Sequence, residues 1–234
     1  MSSDLIARLQ GLSTPHLADA CLRTGVDVRC APSGLRPIDV RMRCAGRVRP
    51  ARHLGSVDVF LEAMEMAAQG DVLVVDNGGR EDEACVGDLV TLEASNAGLA
   101  GILIWGLHRD TDELLEIGMP LFSMGTMPTG PQRLDPRSPD ILDWARVGNW
   151  VVSAGDLVVA DADGAIFLPE DRLSGIVDAA EAIRTTERRQ ASAMRAGQSF
   201  REQAAFGQYL EKRALDPSHG FRDHLRQIGG AIEE

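Results

Sequence analysis

The most constraining feature of the sequence is the stretch 70–110, in which two short apolar runs enclose a polar loop and a helical pattern. Residues 72–75 and Gly101–Trp105 are unbroken apolar runs, which are typical of strands buried on both faces. After Asp88, apolar residues recur at roughly helical spacing until Gly98, a favourable helix terminator. A strand, a helix and a second strand predict a right-handed crossover between parallel strands, and therefore an α/β fold.

The polar residues of this unit predict a binding site, because open α/β sheets bind ligands at the carboxyl ends of neighbouring strands. Asp88 stands at or near the helix start, so its carboxylate and the N–H groups of Leu89 and Val90 should face one cleft. Arg109 supplies a permanent cation, and Asp110 supplies a hard oxygen ligand suited to magnesium. Together they indicate a site for a small carboxylic acid and a metal. A helix cap and a surface ion pair are the alternative explanation of the same residues.

Two motifs in this order resemble a known family. Gly87-Asp88-Leu89 is followed by Arg109-Asp110, with twenty residues between the Asp of the first motif and the Arg of the second. This pattern resembles the signature of the class II 4-hydroxy-4-methyl-2-oxoglutarate and 4-carboxy-4-hydroxy-2-oxoadipate aldolases. Residues 155–169 resemble a second landmark of that superfamily, and the resemblance covers roughly residues 12–197. It implies an RraA-like layered α/β/β/α sandwich with a parallel-strand crossover core and long C-terminal helices.

The resemblance also implies an activity. Members of this family are metal-dependent lyases that cleave a carbon–carbon bond of a 2-oxo acid through a pyruvate enolate, with Mg²⁺ or Mn²⁺ as cofactor. Loss of carbon dioxide from oxaloacetate generates the same enolate, so aldolase and oxaloacetate decarboxylase activities are both implied. By resemblance, catalysis falls to Arg109, Asp88 and Glu187, substrate binding to Gly87, Leu89, Val90 and Arg109, and metal binding to Asp110.

Two features leave alternatives open. Glu187 lies in a long polar helical pattern over residues 170–195 and would reach the site only from a neighbouring subunit, so the resemblance implies a homotrimer or homohexamer. A solvated helix face is the alternative reading of Glu187, and Glu181 is a weaker candidate for the same role. Met124 stands where many relatives carry an arginine, which leaves the substrate open. The fold is shared with the regulator of ribonuclease activity A, so a non-catalytic protein that binds a ribonuclease is the alternative function.

Composition limits the remaining possibilities. We expect one α/β domain over residues 1–198 and a C-terminal helical extension over 199–234, packed on the core or on a neighbouring subunit. The formal net charge of −11 argues against nucleic-acid and anionic-membrane partners. The four cysteines have no Cys-x-x-Cys spacing, and no window reaches eighteen apolar residues. These observations predict reduced thiols in a cytoplasmic protein.

Several local predictions can be compared directly with the structure. Residues 40–48 are expected to form a strand, and residues 147–152 are expected to form a hairpin with residues 157–160. His53 is expected at the surface or in a cap. In the loop 77–87, the charged run of residues 80–83 is expected either to be solvated or to form a lid over the site, from which Arg80 would reach a second substrate carboxylate.

Overall fold

A computed structural model describes residues 3–229 and confirms the α/β class. The helices are α1 (Ser3–Gln10), α2 (Thr14–Thr24), α3 (Asp58–Glu65), α4 (Asp88–Asn96), α5 (Thr111–Ile117), α6 (Leu173–Arg195), α7 (Phe200–Gln203), α8 (Phe206–Leu215) and α9 (Phe221–Ile228). The strands are β1 (Arg29–Cys30), β2 (Arg36–Pro37), β3 (Cys44–Arg52), β4 (Val72–Asp76), β5 (Ala84–Val86), β6 (Gly101–Trp105), β7 (Leu107–His108), β8 (Leu121–Ser123), β9 (Trp144–Val147), β10 (Trp150–Ser153), β11 (Asp156–Asp161) and β12 (Gly164–Pro169).

The predicted crossover forms the middle of an eight-stranded sheet with the order β1-β12-β11-β3-β4-β6-β8-β2. Strands β3, β4, β6 and β8 are parallel, and β4 pairs with β6 from Val72↔Gly101 to Asp76↔Trp105. The strands toward both edges pair antiparallel. The parallel strands therefore bring the loops after β4 and β6 to one edge of the sheet, as the sequence predicts.

The strands are buried on both faces, which produces the layered architecture. In β4, Val72 and Val74 point into an inner apolar core that β9 and β10 also line, while Leu73 and Val75 point outward to α3, α4 and α5. On the other outer side, β11 and β12 pack against α1, α2 and α6. Helices thus cover both outer sides of a curled sheet that encloses its own core. This arrangement agrees with the α/β/β/α expectation.

Two strand predictions were wrong in their bounds or pairing. The strand expected over residues 40–48 begins at Cys44, because Asp39 accepts a hydrogen bond from the Arg41 N–H and holds a turn there. The expected hairpin between residues 147–152 and 157–160 does not form. Instead β9 pairs with β10 across a turn at Gly148, and β11 pairs with β3 and β12. Gly148 has a φ of 59°, which suits glycine at a tight hairpin turn.

The C-terminal helices form a small cluster of their own. Phe206, Tyr209 and Phe221 pack ring against ring, and His224 is buried beside them. The cluster contacts the end of α6, where the Gln203 amide donates to the Gln190 carbonyl oxygen at 3.2 Å. Residues 230–234 of the predicted extension lie outside the described residues. The division into two regions remains a prediction.

Two further observations concern the thiols and the length of the helices. Cys21, Cys30, Cys44 and Cys85 are all free, and three of the four are buried. None of the helices within residues 3–229 is both long and apolar enough to cross a membrane.

Candidate active site

A small parallel pair of strands brings the two sequence motifs together. Strand β5 pairs with β7, with Ala84 opposite Leu107 and Val86 opposite His108. The Arg109 N–H then donates to the Val86 carbonyl oxygen at 3.0 Å. Because the two strands run in the same direction, the residues that follow them emerge side by side. Asp88, Arg109 and Asp110, which we call the charged cluster, meet at this point.

The charged cluster is held by short polar contacts. Asp110 Oδ2 lies 3.3 Å from Arg109 Nε and accepts a hydrogen bond of 3.4 Å from the Asp88 N–H. Asp110 is the only carboxylate paired with Arg109 in the described part of the chain. Asp110 precedes α5 with φ 60° and ψ 45°, a left-handed conformation that costs a non-glycine residue roughly 1 kcal/mol or more. The fold therefore holds this carboxylate in a strained position beside the arginine.

Gly87 provides the space for this arrangement. A Cβ atom at position 87 would lie 2.3 Å from Asp110 Oδ2 and 3.3 Å from Arg109 Nε. Its φ of −135° is open to any residue, so the requirement for glycine is steric rather than conformational. The close approach of the helix start to the Asp110 carboxylate therefore depends on the missing side chain.

The helix start offers fewer open N–H groups than the sequence predicts. The Leu89 N–H already donates to Asp88 Oδ1 at 2.7 Å, so a bound carboxylate would have to replace the Asp88 side chain there. The Thr91 N–H donates to the Gly87 carbonyl oxygen as the first helical hydrogen bond. Val90 is buried beneath the helix start. The substrate-binding role expected for Gly87, Leu89 and Val90 therefore remains a prediction.

A cleft of about 470 Å³ opens beside the charged cluster, between α3 and α4. Four large apolar residues line it and are partly exposed: Val57 and Leu61 from the α3 side, and Leu89 and Leu92 from α4. Cys85 also lines the cleft, but burial raises the pKa of its thiol far above the ordinary value. A thiol that stays protonated acts as apolar surface and not as a nucleophile.

His108 connects two elements next to the charged cluster, which the sequence did not reveal. Its Nδ1 lies 2.7 Å from Ser123 Oγ, and its Nε2 lies 3.1 Å from Thr111 Oγ1 at the start of α5. Burial lowers the pKa of the His108 imidazole, so the ring is neutral near pH 7. Its position directly before the Arg-Asp pair was the only available signal. His108 links the end of β8 to the helix that Asp110 precedes.

A second buried network anchors the loop that leads to Gly87. Arg133 donates from Nη2 to Glu83 Oε1 and to Asn77 Oδ1, both at 3.0 Å. His53 Nδ1 lies 2.9 Å from the same Asn77 oxygen. His53 is 3% exposed and its pKa is lowered by burial, so the surface or capping role expected for it was wrong. Glu83 is likewise buried within a loop expected to be solvated or to form a lid, although the neighbouring Asp82 is exposed.

Glu187 lies apart from the charged cluster within a single chain. It is an exposed residue of α6, and its Oε2 lies 3.0 Å from His16 Nε2 on α2. His16 Nδ1 in turn lies 2.7 Å from Ser13 Oγ. The weaker candidate Glu181 is paired with Arg8 on α1. No contact among residues 3–229 joins Glu187 to the cluster, so its expected role requires a second chain and remains a prediction.

The donor atoms at the charged cluster fit a hydrated hard cation. Magnesium usually binds through one or two carboxylates and keeps several waters. Asp88 and Asp110 supply two carboxylates, and the Asp88 N–H donates a hydrogen bond to the Asp110 carboxylate. The Asp110 side chain is about one third exposed. Within the described residues, no group of three or more His, Cys, Asp or Glu side chains is arranged to hold a metal. The cluster therefore offers one or two carboxylates to a largely hydrated ion, which is the arrangement that magnesium prefers.

The fold and the charged cluster correspond to one known class of protein. Residues 14–167 match the profile of the RraA-like family, described as Aldolase/RraA, and the chain belongs to that family.

Its relatives include named aldolases. A 4-hydroxy-4-methyl-2-oxoglutarate aldolase of Thermus thermophilus is 32% identical over 130 residues, covering 56% of this chain and 78% of that protein. Protein DlpA of Legionella pneumophila is 30% identical over 206 residues, covering 85% of this chain and 33% of DlpA, so the chain spans a third of that relative. The solved structure of Streptomyces coelicolor RraAS2, an unusual member of the RNase ES inhibitor RraA protein family, has a TM-score of 0.68 at 28% identity. The structural match covers 83% of this chain and 98% of RraAS2.

Proposed function

We propose that this protein is a lyase that cleaves a carbon–carbon bond of a 2-oxo acid through a pyruvate enolate. Its activity would be of the 4-hydroxy-4-methyl-2-oxoglutarate aldolase type, the oxaloacetate decarboxylase type, or both. The observation that carries the proposal is the convergence of Asp88, Arg109 and Asp110, with Asp110 Oδ2 within 3.4 Å of both neighbours. Relatives named as aldolases support the same reaction class.

Arg109 is the residue best suited to the developing negative charge. Its guanidinium is permanently charged and about half exposed, and it lines the cleft. In the proposed reaction it would hold the 2-oxo oxygen of the substrate, where charge accumulates as the enolate forms. The N–H groups of Leu89 and Val90 would hold the substrate carboxylate after Asp88 Oδ1 releases Leu89.

Asp110 would hold a magnesium or manganese ion, which when bound supplies Lewis-acid stabilisation of the enolate oxygen. Asp88 would orient a water molecule that carries the proton to and from the substrate. Glu187 of a neighbouring subunit would complete the site, and this requires a homotrimer or homohexamer. The exposure of Glu187, about half of its side chain, is compatible with such a reach.

The test is pyruvate release from oxaloacetate and from 4-hydroxy-4-methyl-2-oxoglutarate, measured with magnesium, with manganese and with EDTA. We expect release with either ion, loss with EDTA, and loss in Asp110→Ala. Asp112→Ala is the matched control, because Asp112 is an exposed acid in the first turn of α5, two residues after Asp110, and lies outside the charged cluster. Absence of pyruvate from both substrates under every metal condition would refute the proposal.

The likeness to RraAS2 favours one alternative, a non-catalytic regulator that binds a ribonuclease. This alternative predicts metal-independent binding of a large ribonuclease through the acidic surface, unaffected by Asp110→Ala. Titration of a purified ribonuclease against the parent protein and Asp110→Ala, with and without EDTA, separates the two functions.

A further inference from the structure

The cleft beside the charged cluster is apolar on the side away from Arg109. Val57 and Leu61 are each 49% exposed on the α3 side, and Leu89 and Leu92 are 75% and 46% exposed on α4. Leu89 and Leu92 are three residues apart, so they lie on one face of α4 and point toward the same space. All four side chains line the same cleft, and we call them the apolar wall.

The charges around the cleft do not suit a second carboxylate. Arg109 is the only cationic residue among the described residues that line it, whereas Asp88 and Glu93 add two acids to the same lining. The arginines of the adjoining loops are already paired: Arg80 with Asp82, Arg133 with Glu83, and Arg137 with acids of α3. A substrate that uses Arg109 for its 2-oxo acid end would therefore place a carboxylate attached to C4 beside leucines, two acids and the exposed amide of Asn96. Within the described residues of one chain, such a group would lose part of its hydration and gain no cationic partner.

We propose that the substrate carries an apolar group at C4, so that the protein cleaves 4-hydroxy-2-oxo acids with a hydrocarbon chain or ring at that carbon. This inference rests on the function proposed above and specifies its substrate class. Cleavage breaks the C3–C4 bond and leaves its electron pair on C3 as the pyruvate enolate. The 4-hydroxyl group loses its proton and becomes the carbonyl of an apolar aldehyde or ketone. A proton then adds to C3 to give pyruvate, and no oxidant or reductant is needed.

The apolar wall would provide discrimination by burial of the C4 substituent. The cleft of about 470 Å³ is large enough for a phenyl or short branched alkyl group. An apolar pocket discriminates about tenfold or more for each methylene group that fits it. Unpaired burial of a carboxylate is disfavoured more strongly still. We therefore expect kcat/KM for the apolar substrates to exceed that for the dicarboxylate by about tenfold or more.

The experiment compares pyruvate release from three compounds with magnesium present. Oxaloacetate carries no substituent beyond its C4 carboxylate, which leaves as carbon dioxide, so it does not probe the apolar wall and reports the lyase activity itself. 4-Hydroxy-4-methyl-2-oxoglutarate carries a carboxylate at C4, and 4-hydroxy-4-phenyl-2-oxobutanoate carries a phenyl ring there. The expected result is a kcat/KM for the phenyl substrate about tenfold or more above that for the dicarboxylate.

A positive charge placed in the apolar wall provides the second part of the experiment. Leu61→Arg should shift the preference toward the dicarboxylate by about tenfold, because it provides the missing cation. Leu115→Arg is the matched control: Leu115 is 43% exposed on α5 and does not line the cleft, so it should leave the preference unchanged. Thermal unfolding of both variants verifies that they are folded.

The outcomes separate this inference from the proposed function. Release from oxaloacetate together with equal or better cleavage of the dicarboxylate would overturn the apolar assignment and leave the lyase in place. Preference for the phenyl substrate that Leu61→Arg does not alter would overturn the assignment to this cleft. No release from any of the three compounds would overturn the lyase function, and this inference with it.

Discussion

Replacing Gly87 by alanine is the most direct test of the charged cluster. The new Cβ would lie 2.3 Å from Asp110 Oδ2, whereas ordinary van der Waals contact begins at 3.4 Å. The carboxylate must therefore move by about 1 Å, and the Arg109 side chain, 3.3 Å from the same Cβ, must adjust with it. A displacement of about 1 Å in an active site can reduce the rate about 100-fold.

The same substitution should have little effect on stability. Gly87 has φ −135°, which alanine adopts without strain, and the Asp110 side chain is 33% exposed and has room to rotate. We expect the free energy of unfolding to change by less than about 1 kcal/mol. Catalysis and folding should thus separate in a single variant.

The measurement is kcat/KM for pyruvate release from oxaloacetate, together with urea unfolding. Gly175→Ala is the matched control, because a Cβ there meets no atom within 4 Å in helix α6. It should keep full activity and gain about 0.5–1 kcal/mol of stability. A folded Gly87→Ala protein with kcat/KM within about threefold of the parent would refute the argument that close approach at the cluster sets the rate.

Three further predictions concern the support of the site. Arg133→Met leaves Glu83, which is 5% exposed, without its main cation, so the free energy of unfolding measured in urea should fall by about 3 kcal/mol. Adding Glu83→Gln should recover part of this loss. Full stability of the single variant would contradict the ion-pair argument. Burial lowers the pKa values of His53 and His108, so their contribution to stability is complete above about pH 6.5 and is lost as the pH falls through the lowered pKa values. Urea unfolding between about pH 7.5 and pH 5 measures this effect, and a free energy that rises on acidification would contradict the sign. Finally, a chain shortened to residues 1–197 should fold with a thermal midpoint within a few degrees of the parent. The reason is that none of the three apolar cores contains a described residue of the extension. Loss of cooperative unfolding in the shortened chain would contradict this prediction.

Local patterns predicted much of the fold, and long-range contacts explain the errors. The apolar runs before and after α4 identified parallel strands because burial on both faces leaves a direct mark on the sequence. Gly148 is also a turn signal, but the residues near Asp156 form an equally typical turn pattern, so the sequence alone does not select the correct hairpin. The surface expectation for His53 was wrong because its partner Asn77 and the stacked Phe60 are close to it only after β3 and β4 pair.

The three residues of the charged cluster stand in the two motifs, but the contacts between them could not be predicted from the motifs. The sequence indicated Asp88, Arg109 and Asp110 by residue type and by position after buried strands. It could not show that the Asp88 carboxylate accepts a hydrogen bond from the Leu89 N–H, or that His108 contacts Thr111 at the start of α5. Those facts depend on side-chain positions that several elements set together.

The sequence by itself determined the fold class and indicated the residues of the charged cluster, because hydrophobic periodicity and glycine placement act over a few neighbouring residues. Only the tertiary structure decided which atoms meet. The pairing of β5 with β7 places Gly87 against Asp110, and the packing of α3 beside α4 creates the apolar cleft. Both depend on contacts between segments distant in sequence, and such contacts form only when burial of the common core outweighs the entropy of closing the loops between them.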